Sequence, residues 1–285
     1  MVMRYSPAIH DARHLIKNFL GNAGQLLGNN MLPPADCLVL NYHGTQKKFI
    51  RNFEYQLKWL NDHFHIGTPR DLFDYYERKK TGDRTMVVLT FDDGIKNNLY
   101  AVEAMARSGI KAFFFVVPGF IETASQKDFF LRNIRPVINP EIDSAKEDFE
   151  ALSWHELMGL SKEGHHIGSH TSTHTLVAGS GDASHEIEDS KTAIENAIST
   201  RVSTFCSPNN TLTSLGASEM KLIKKNYAYH FSTLPGSNMK AEPYFIRRSN
   251  AEAHWMKGAF LNAIGKWDRR RWRRRESEFR KLLSS

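Results

Sequence analysis

Two cysteines in 285 residues cannot build a disulfide framework, and Cys37 and Cys206 both sit in apolar, strand-like surroundings that suit buried free thiols. No stretch approaches the ~18 to 20 consecutive apolar residues that a membrane-spanning helix needs. Residues 1–30 carry polar and charged side chains throughout and lack the basic, apolar and small-residue succession of a secretory leader, which points to the cytoplasm. Internal repeats are missing too. Excess charge is scarce over most of the chain. The formal net charge is +7, and residues 257–285 hold ten basic residues against three acids, so the remainder is close to neutral. A hydrophobic content of 41% with 24% charged residues excludes a disordered chain and suits one large globular core.

What is present is an alternation. Residues 9–27 place Ala12, Ile16, Phe19, Ala23 and Leu26 at helical spacing, and Asn29-Asn30 and Pro33-Pro34 mark a linker after them. A strand is expected over 37–42, helices over 49–64 and 71–80, and a strand ending at Asp92. There follow a helix over 97–108, a strand over 111–117, a helix over 154–162 and a short strand toward His170. The pattern continues as a helix over 187–198, a strand over 202–206, a helix over 218–226 and a strand over 227–231. Strands alternating with helices of this length predict α/β architecture with a parallel sheet. The expected organisation is a leading amphipathic helix and linker in 1–34, one domain in 35–256 and a basic tail in 257–285. The long insertion between Phe120 and Leu152 reads either as part of a substrate rim or as a surface excursion.

Two short segments carry chemistry. Met86-Val87-Val88-Leu89 runs into Thr90-Phe91-Asp92-Asp93-Gly94, so a buried strand delivers two adjacent carboxylates to its C-terminal end. Side chains alternate along a strand, so Asp92 and Asp93 diverge unless the backbone turns, and Gly94 permits a turn. His170-Thr171-Ser172-Thr173-His174 sets two imidazoles four residues apart, which lets both reach one point from a helix or tight turn. One carboxylate with two imidazoles makes a three-ligand set with an open position, the pattern of a catalytic metal centre. The other aspartate is then free to act as a base on water. The bland alternatives are a surface turn for the aspartates and a polar loop for the histidines.

Thr90-Phe91-Asp92-Asp93-Gly94 resembles the first motif of the polysaccharide deacetylases, metal-dependent enzymes that remove acetyl groups from N-acetylated sugars. The run from Gly164 to His174 is similar to their second motif, and Leu40-Asn41-Tyr42-His43 resembles the strand that opens the catalytic domain in many members. The resemblance covers roughly residues 37–248 and implies a distorted (β/α) barrel, often of seven strands, acting on an acetylated sugar or glycan precursor. It implies Asp92 as general base and Asp93, His170 and His174 as metal ligands. Zinc is the default ion for such mixed nitrogen and oxygen ligands, and cobalt or iron fits the same set. In Phe205-Cys206-Ser207-Pro208-Asn209-Asn210 the third motif keeps its proline, which assigns the backbone N–H of Asn209 to the oxyanion. The same stretch has Cys206 where the arginine that orients the base stands, and no tyrosine.

The fifth motif supplies a general-acid histidine, but Phe245-Ile246-Arg247-Arg248-Ser249-Asn250 has none, so the proton donor is unassigned. His43 reads as a residue that binds substrate or donates the proton, or as a core histidine; His254 and His230 are weaker candidates for the acid. His165 and His166 read as structural or exposed, one of them able to orient a ligand. The rival functions are hydrolysis of a small amide or an O-acetyl ester at the same centre, and a non-catalytic glycan-binding relative that has kept its metal site. In the tail, Phe260, Ile264, Trp267, Trp272, Phe279 and Leu283 interleave with arginines at near-helical spacing. That pattern suits a basic helix lying on an anionic membrane, peripheral at the inner surface. It is ranked above nucleic acid because amphipathicity accompanies the charge.

Overall fold

The runs Cys37–Tyr42, Met86–Phe91 and Phe113–Val116 are buried at every position, and strands this apolar persist only where both faces of a parallel sheet are covered. The computed structural model describes residues 37–264 except 79–83, 137–138, 140, 176–177, 180, 210, 237 and 240–241, together with Ser277, Arg280 and Lys281. The expected helix over 9–27 and most of the basic tail lie outside the described residues. The strands are β1 (Cys37–Tyr42), β2 (His65–Ile66), β3 (Met86–Phe91), β4 (Phe113–Val116), β5 (His166–Ser169), β6 (Thr204–Cys206), β7 (Tyr229–Phe231) and β8 (Arg248–Asn250). They pair in parallel in the order β7-β6-β5-β4-β3-β1-β8, with β2 beside β3. A parallel bridge between Phe231 and Ile246 brings the lead-in of β8 against β7, so the seven strands form a nearly closed barrel.

Alternation along the strands splits the core into two layers. Leu38, Leu40, Tyr42, Val87, Leu89, Phe91, Phe114 and Val116 pack outward with Phe53, Leu57 and Leu60 of the helix Ile50–His63 and with the other surrounding helices. Cys37, Val39, Met86, Val88, Phe113, Phe115, Cys206, Tyr229, Phe231 and Ile246 fill the interior. The N-terminal end is stoppered by the helix Pro69–Tyr76, whose Leu72 and Tyr76 join that interior cluster. Phe73 of the same helix stacks on Tyr229, with ring centroids 4.8 Å apart. This helix starts where Thr68 and Asp71 cap each other and Pro69 occupies the first turn, an arrangement worth about 1 kcal/mol.

Several expected boundaries shift. The strand expected over 111–117 is Phe113–Val116, the helix expected over 71–80 is Pro69–Tyr76, and the strand expected over 227–231 is Tyr229–Phe231. The insertion is folded: it carries helices Pro118–Glu122 and Gln126–Phe129, and Phe120, Phe130 and Phe149 pack with Ile95, Val117 and Ala151 in a small core of their own. The helix Lys257–Ile264 buries Phe260, Leu261 and Ile264 in the main core. Phe260 and Ile264, placed by the sequence pattern on a membrane-facing stripe, therefore face protein; spacing shows that a helix has an apolar side, not what covers it. Trp267, Trp272, Phe279 and Leu283 lie outside the described residues.

Candidate active site

At the C-terminal mouth of the barrel the inward positions change from apolar to polar. Continuing the period of two past Val39, Val88 and Ile246 gives Asn41 on β1 and His43 just past it, Thr90 on β3 and Asp92 just past it, and Arg248 and Asn250 on β8. His170 follows β5 in the same way, and Thr233 follows β7. Seven of these (all but Thr90) line a cavity of about 260 Å³, with Asp93, Ile134, His174 and Asn209 completing its wall. The C-terminal mouth is where barrel loops ordinarily carry chemistry.

The remaining polar lining residues reach the cavity only because the backbone bends backwards. Asp93 has φ 71°, His174 φ 62° and Asn209 φ 53°, all in the left-handed region that costs a side-chain-bearing residue energy. Gly94 follows Asp93 at φ 69°, where an added Cβ would come within 3.1 Å of Val116. The turn after Asp92 therefore brings two consecutive carboxylates to one cavity. His170 and His174 meet from a turn, not a helix, with Thr171 also left-handed at φ 69° and the two rings 5.1 Å apart. Buried Glu186 secures this turn by accepting from the N–H (2.9 Å) and hydroxyl (2.5 Å) of Thr173.

Asp93 Oδ1 lies 3.2 Å from His174 Nε2 and 3.5 Å from His170 Nε2, and it is buried without a hydrogen-bond partner. The opposite ring nitrogens are engaged: Nδ1 of His170 sits 2.9 Å from the Cys206 carbonyl, and Nδ1 of His174 sits 2.7 Å from the Asn133 carbonyl. Each carbonyl can only accept, so each Nδ1 carries the proton and each Nε2 can turn a lone pair toward Asp93. Burial would raise the Asp93 carboxyl, but the two imidazoles outweigh it and hold it well below the usual range. Burial would lower His174, and Asp93 outweighs that and raises it. The trio calls for a positive charge at its centre. An unsatisfied carboxylate oxygen facing two oriented imidazole nitrogens fits a divalent cation.

Asp92, Cys206 and His170 form a second, overlapping set of close ligand atoms. A guanidinium already fills it. Arg248 Nη1 donates to Asp92 Oδ1 at 2.7 Å, and Nη2 donates to Oδ2 at 2.9 Å and to Cys206 Sγ at 2.8 Å. Burial would raise Asp92, but the charge and hydrogen bonds of Arg248 together with His170 and His43 outweigh it, so the carboxyl is held below its ordinary value and is ionised at neutral pH. Burial also pushes the Cys206 thiol well up, which keeps it protonated.

Just past β1, the strand between β3 and β8, His43 Nδ1 lies 3.6 Å from Glu252 Oε1. Burial would lower the imidazole, yet Glu252 outweighs it and raises His43 to about 9. Glu252 itself would be raised by burial and is pulled down to about 2 by His43. The ring keeps 35% of its surface open to the cavity, so water screens part of this attraction; its direction favours a protonated ring at neutral pH.

The other candidate histidines sit elsewhere. His254 packs against Phe49, ring centroids 5.8 Å apart, and is not among the residues lining the cavity. His230 is buried with Nε2 2.7 Å from Ser207 Oγ, and burial lowers it to about 4. His165 accepts from the Ala112 N–H and His166 contacts Thr204 Oγ1, both in the barrel wall. Reading the sequence passed over Arg248, Glu252 and the Asn133 carbonyl. Inward parity on β8 could have signalled Arg248; the other two are set by loops.

A family model for polysaccharide deacetylases matches residues 79–228, more than half of the chain and the stretch that holds both the aspartate pair and the histidine pair. No curated relative matches. Among solved structures, the Streptococcus pyogenes deacetylase PplD in complex with acetate shares 15% identity at TM-score 0.62, over 81% of this chain and 99% of that one. IcaB from Ammonifex degensii shares 15% identity at TM-score 0.64, over 82% and 97%. The BpsB deacetylase domain from Bordetella bronchiseptica shares 15% at TM-score 0.61, over 78% and 98%. At these identities the structures attest the barrel, while the family match spans the motifs that shape its mouth, and the chain belongs to the polysaccharide deacetylase family.

Proposed function

We propose that this chain is a metal-dependent hydrolase that removes the acetyl group from an N-acetylated sugar in a glycan or glycan precursor. The observation that carries the reading is an ionised, buried carboxylate, Asp92, beside an Asp93, His170 and His174 trio whose lone pairs converge. Asp93, His170 and His174 would hold the ion, zinc by default and cobalt or iron by the same ligand set. When bound, such an ion supplies Lewis acidity to the acetyl carbonyl and to water. Asp92 takes the proton of the attacking water. The backbone N–H of Asn209, at the cavity wall, faces the oxyanion as it develops. His43, kept protonated by Glu252, returns a proton to the leaving amine. Acetate and the free amino sugar result.

The guanidinium and the protonated imidazole in the cavity favour this reading over a non-catalytic glycan binder, because they supply groups whose absence from the usual motifs had argued for inactivity. Residues 257–285 suit an anionic membrane surface as a further partner, through their ten basic residues and the tryptophans among them. No helix among the described residues is long and apolar enough to cross a membrane.

The deciding experiment measures acetate release from N-acetylated oligosaccharides, lipid-linked and nucleotide-linked amino sugars, small amides and O-acetyl esters, with and without chelator. Release from the sugars that stops on chelation and returns with zinc is the expected result. Release confined to esters or small amides would favour the rival hydrolase, and no release from any substrate would favour the glycan binder.

A further inference from the structure

The third motif lacks its arginine, yet a guanidinium lies on the Asp92 carboxylate. It comes from β8, at the far side of β1, instead of from β6. Resting on the reading of Asp92 as base, we propose that Arg248 is the positioning residue of that base. Position 206 on β6 and position 248 on β8 are then alternative anchor points for one guanidinium.

The geometry leaves Arg248 little freedom. Besides the two bonds to Asp92, Nε donates to the Ser232 carbonyl at 3.0 Å, and Nη1 donates to Asn41 Oδ1 at 3.0 Å and to Thr90 Oγ1 at 3.2 Å. Its guanidinium carbon also lies 5.6 Å from the centroid of the Phe115 ring, and the residue is 2% exposed. A fork fixed at each donor fixes the carboxylate that it grips, in position and in rotation. A lysine would hold one point and leave that rotation free.

Cys206 is the complement of this arrangement. Its Sγ lies 3.9 Å from each Asp92 oxygen and 2.8 Å from Arg248 Nη2, so a longer side chain at 206 would enter the volume that the guanidinium occupies. The buried thiol is small enough to leave that volume open. It also explains why a second ion does not belong at Asp92, His170 and Cys206: a fixed positive charge is already there.

The test compares kcat and KM for acetate release, zinc content and thermal unfolding in the intact chain and in Asp92→Asn, Arg248→Ala, Arg248→Lys and the double variant Arg248→Ala/Cys206→Arg. Arg248→Ala should lower kcat by about 100-fold, the scale of loss for a misplaced catalytic group, with KM changed less than about threefold and zinc retained. Arg248→Lys should recover less than about tenfold of that loss, because charge returns without the fork. The double variant should recover at least about tenfold over Arg248→Ala, since a guanidinium again reaches the carboxylate. A kcat for Arg248→Ala within about threefold of the unaltered chain, with Asp92→Asn inactive, would overturn the positioning role while leaving the base intact. Normal turnover in Asp92→Asn would instead overturn the base assignment, and the positioning role with it. Should Arg248→Ala not fold, the double variant decides. If it folds and holds zinc, kcat within about tenfold of the unaltered chain supports the exchange of anchor points, and kcat as low as that of Asp92→Asn overturns it.

Discussion

The mouth of the barrel has two halves built by different means. His43, Asp92, His170 and Arg248 extend or belong to strands and point inward by the same alternation that packs Val39, Val88 and Ile246 below them. Asp93, His174 and Asn209 stand on left-handed turns, held by contacts that are remote in sequence, such as Glu186 on Thr173 and the Asn133 carbonyl on His174. The strand half is positioned by the rigid wall of the core. The loop half is positioned by local strain and a few hydrogen bonds, and that half supplies two of the three converging ligands.

The sharpest way to break this comparison is to remove ligands from the loop half. Asp93→Ala and His174→Ala are each expected to lose bound metal and all measurable hydrolysis while the barrel stays folded, because two remaining ligands hold zinc poorly. Elemental analysis with circular dichroism checks both, and full metal occupancy in either variant would take that residue out of the ligand set. Asp92→Asn in the strand half should keep its metal and lose about two to four orders of magnitude in turnover, the usual worth of a positioned base. Turnover near that of the unaltered chain would show that the strand half carries no base.

Glu252→Gln should act through pH. In the folded chain burial lowers His43 while Glu252 outweighs it, so the ring stays protonated through neutrality and loses its proton as pH rises through about 9. A bound cation beside it offsets part of that rise. With Glu252 neutralised the lowering effect of burial is left unopposed by that partner, and the alkaline limb of kcat moves to lower pH. Turnover at pH 8 should fall by about tenfold for each unit that the limb moves below 8, with little change near pH 6. A pH–rate profile with an unmoved alkaline limb would exclude His43 as the acid tuned by Glu252.

The smallest effect on chemistry belongs to neither half. Deleting residues 266–285 removes nearly all of the excess positive charge and no residue that lines the cavity. Hydrolysis of a soluble substrate should stay within about twofold, while binding to anionic vesicles weakens by about 1 kcal/mol for each basic residue lost from the surface contact. Co-sedimentation at low and high salt measures it, and equal binding by both forms would return the tail to a solvated charge run.

What the sequence by itself determined follows from local rules. The strand run 86–91, its continuation to Asp92 and the alternation of strands with helices need only side-chain period and composition, and they give an α/β chain with a parallel sheet; its closure into a barrel was implied by the family resemblance alone. Asp92 with Asp93, and His170 with His174, came forward as pairs because the members of each pair are near neighbours in the chain, and the family resemblance joined the two pairs. Tertiary structure decided the rest. Arg248 meets Asp92 across 156 positions of sequence, and His43 meets Glu252 through the pairing of β1 with β8, which no local pattern encodes. The insertion read either as a substrate rim or as a surface excursion; it folds around its own phenylalanines and orients His174 through a backbone carbonyl, a group that every residue has. Phe260 and Ile264 show the converse: their spacing was legible as an apolar face, and only the packed barrel says that the face is covered by protein.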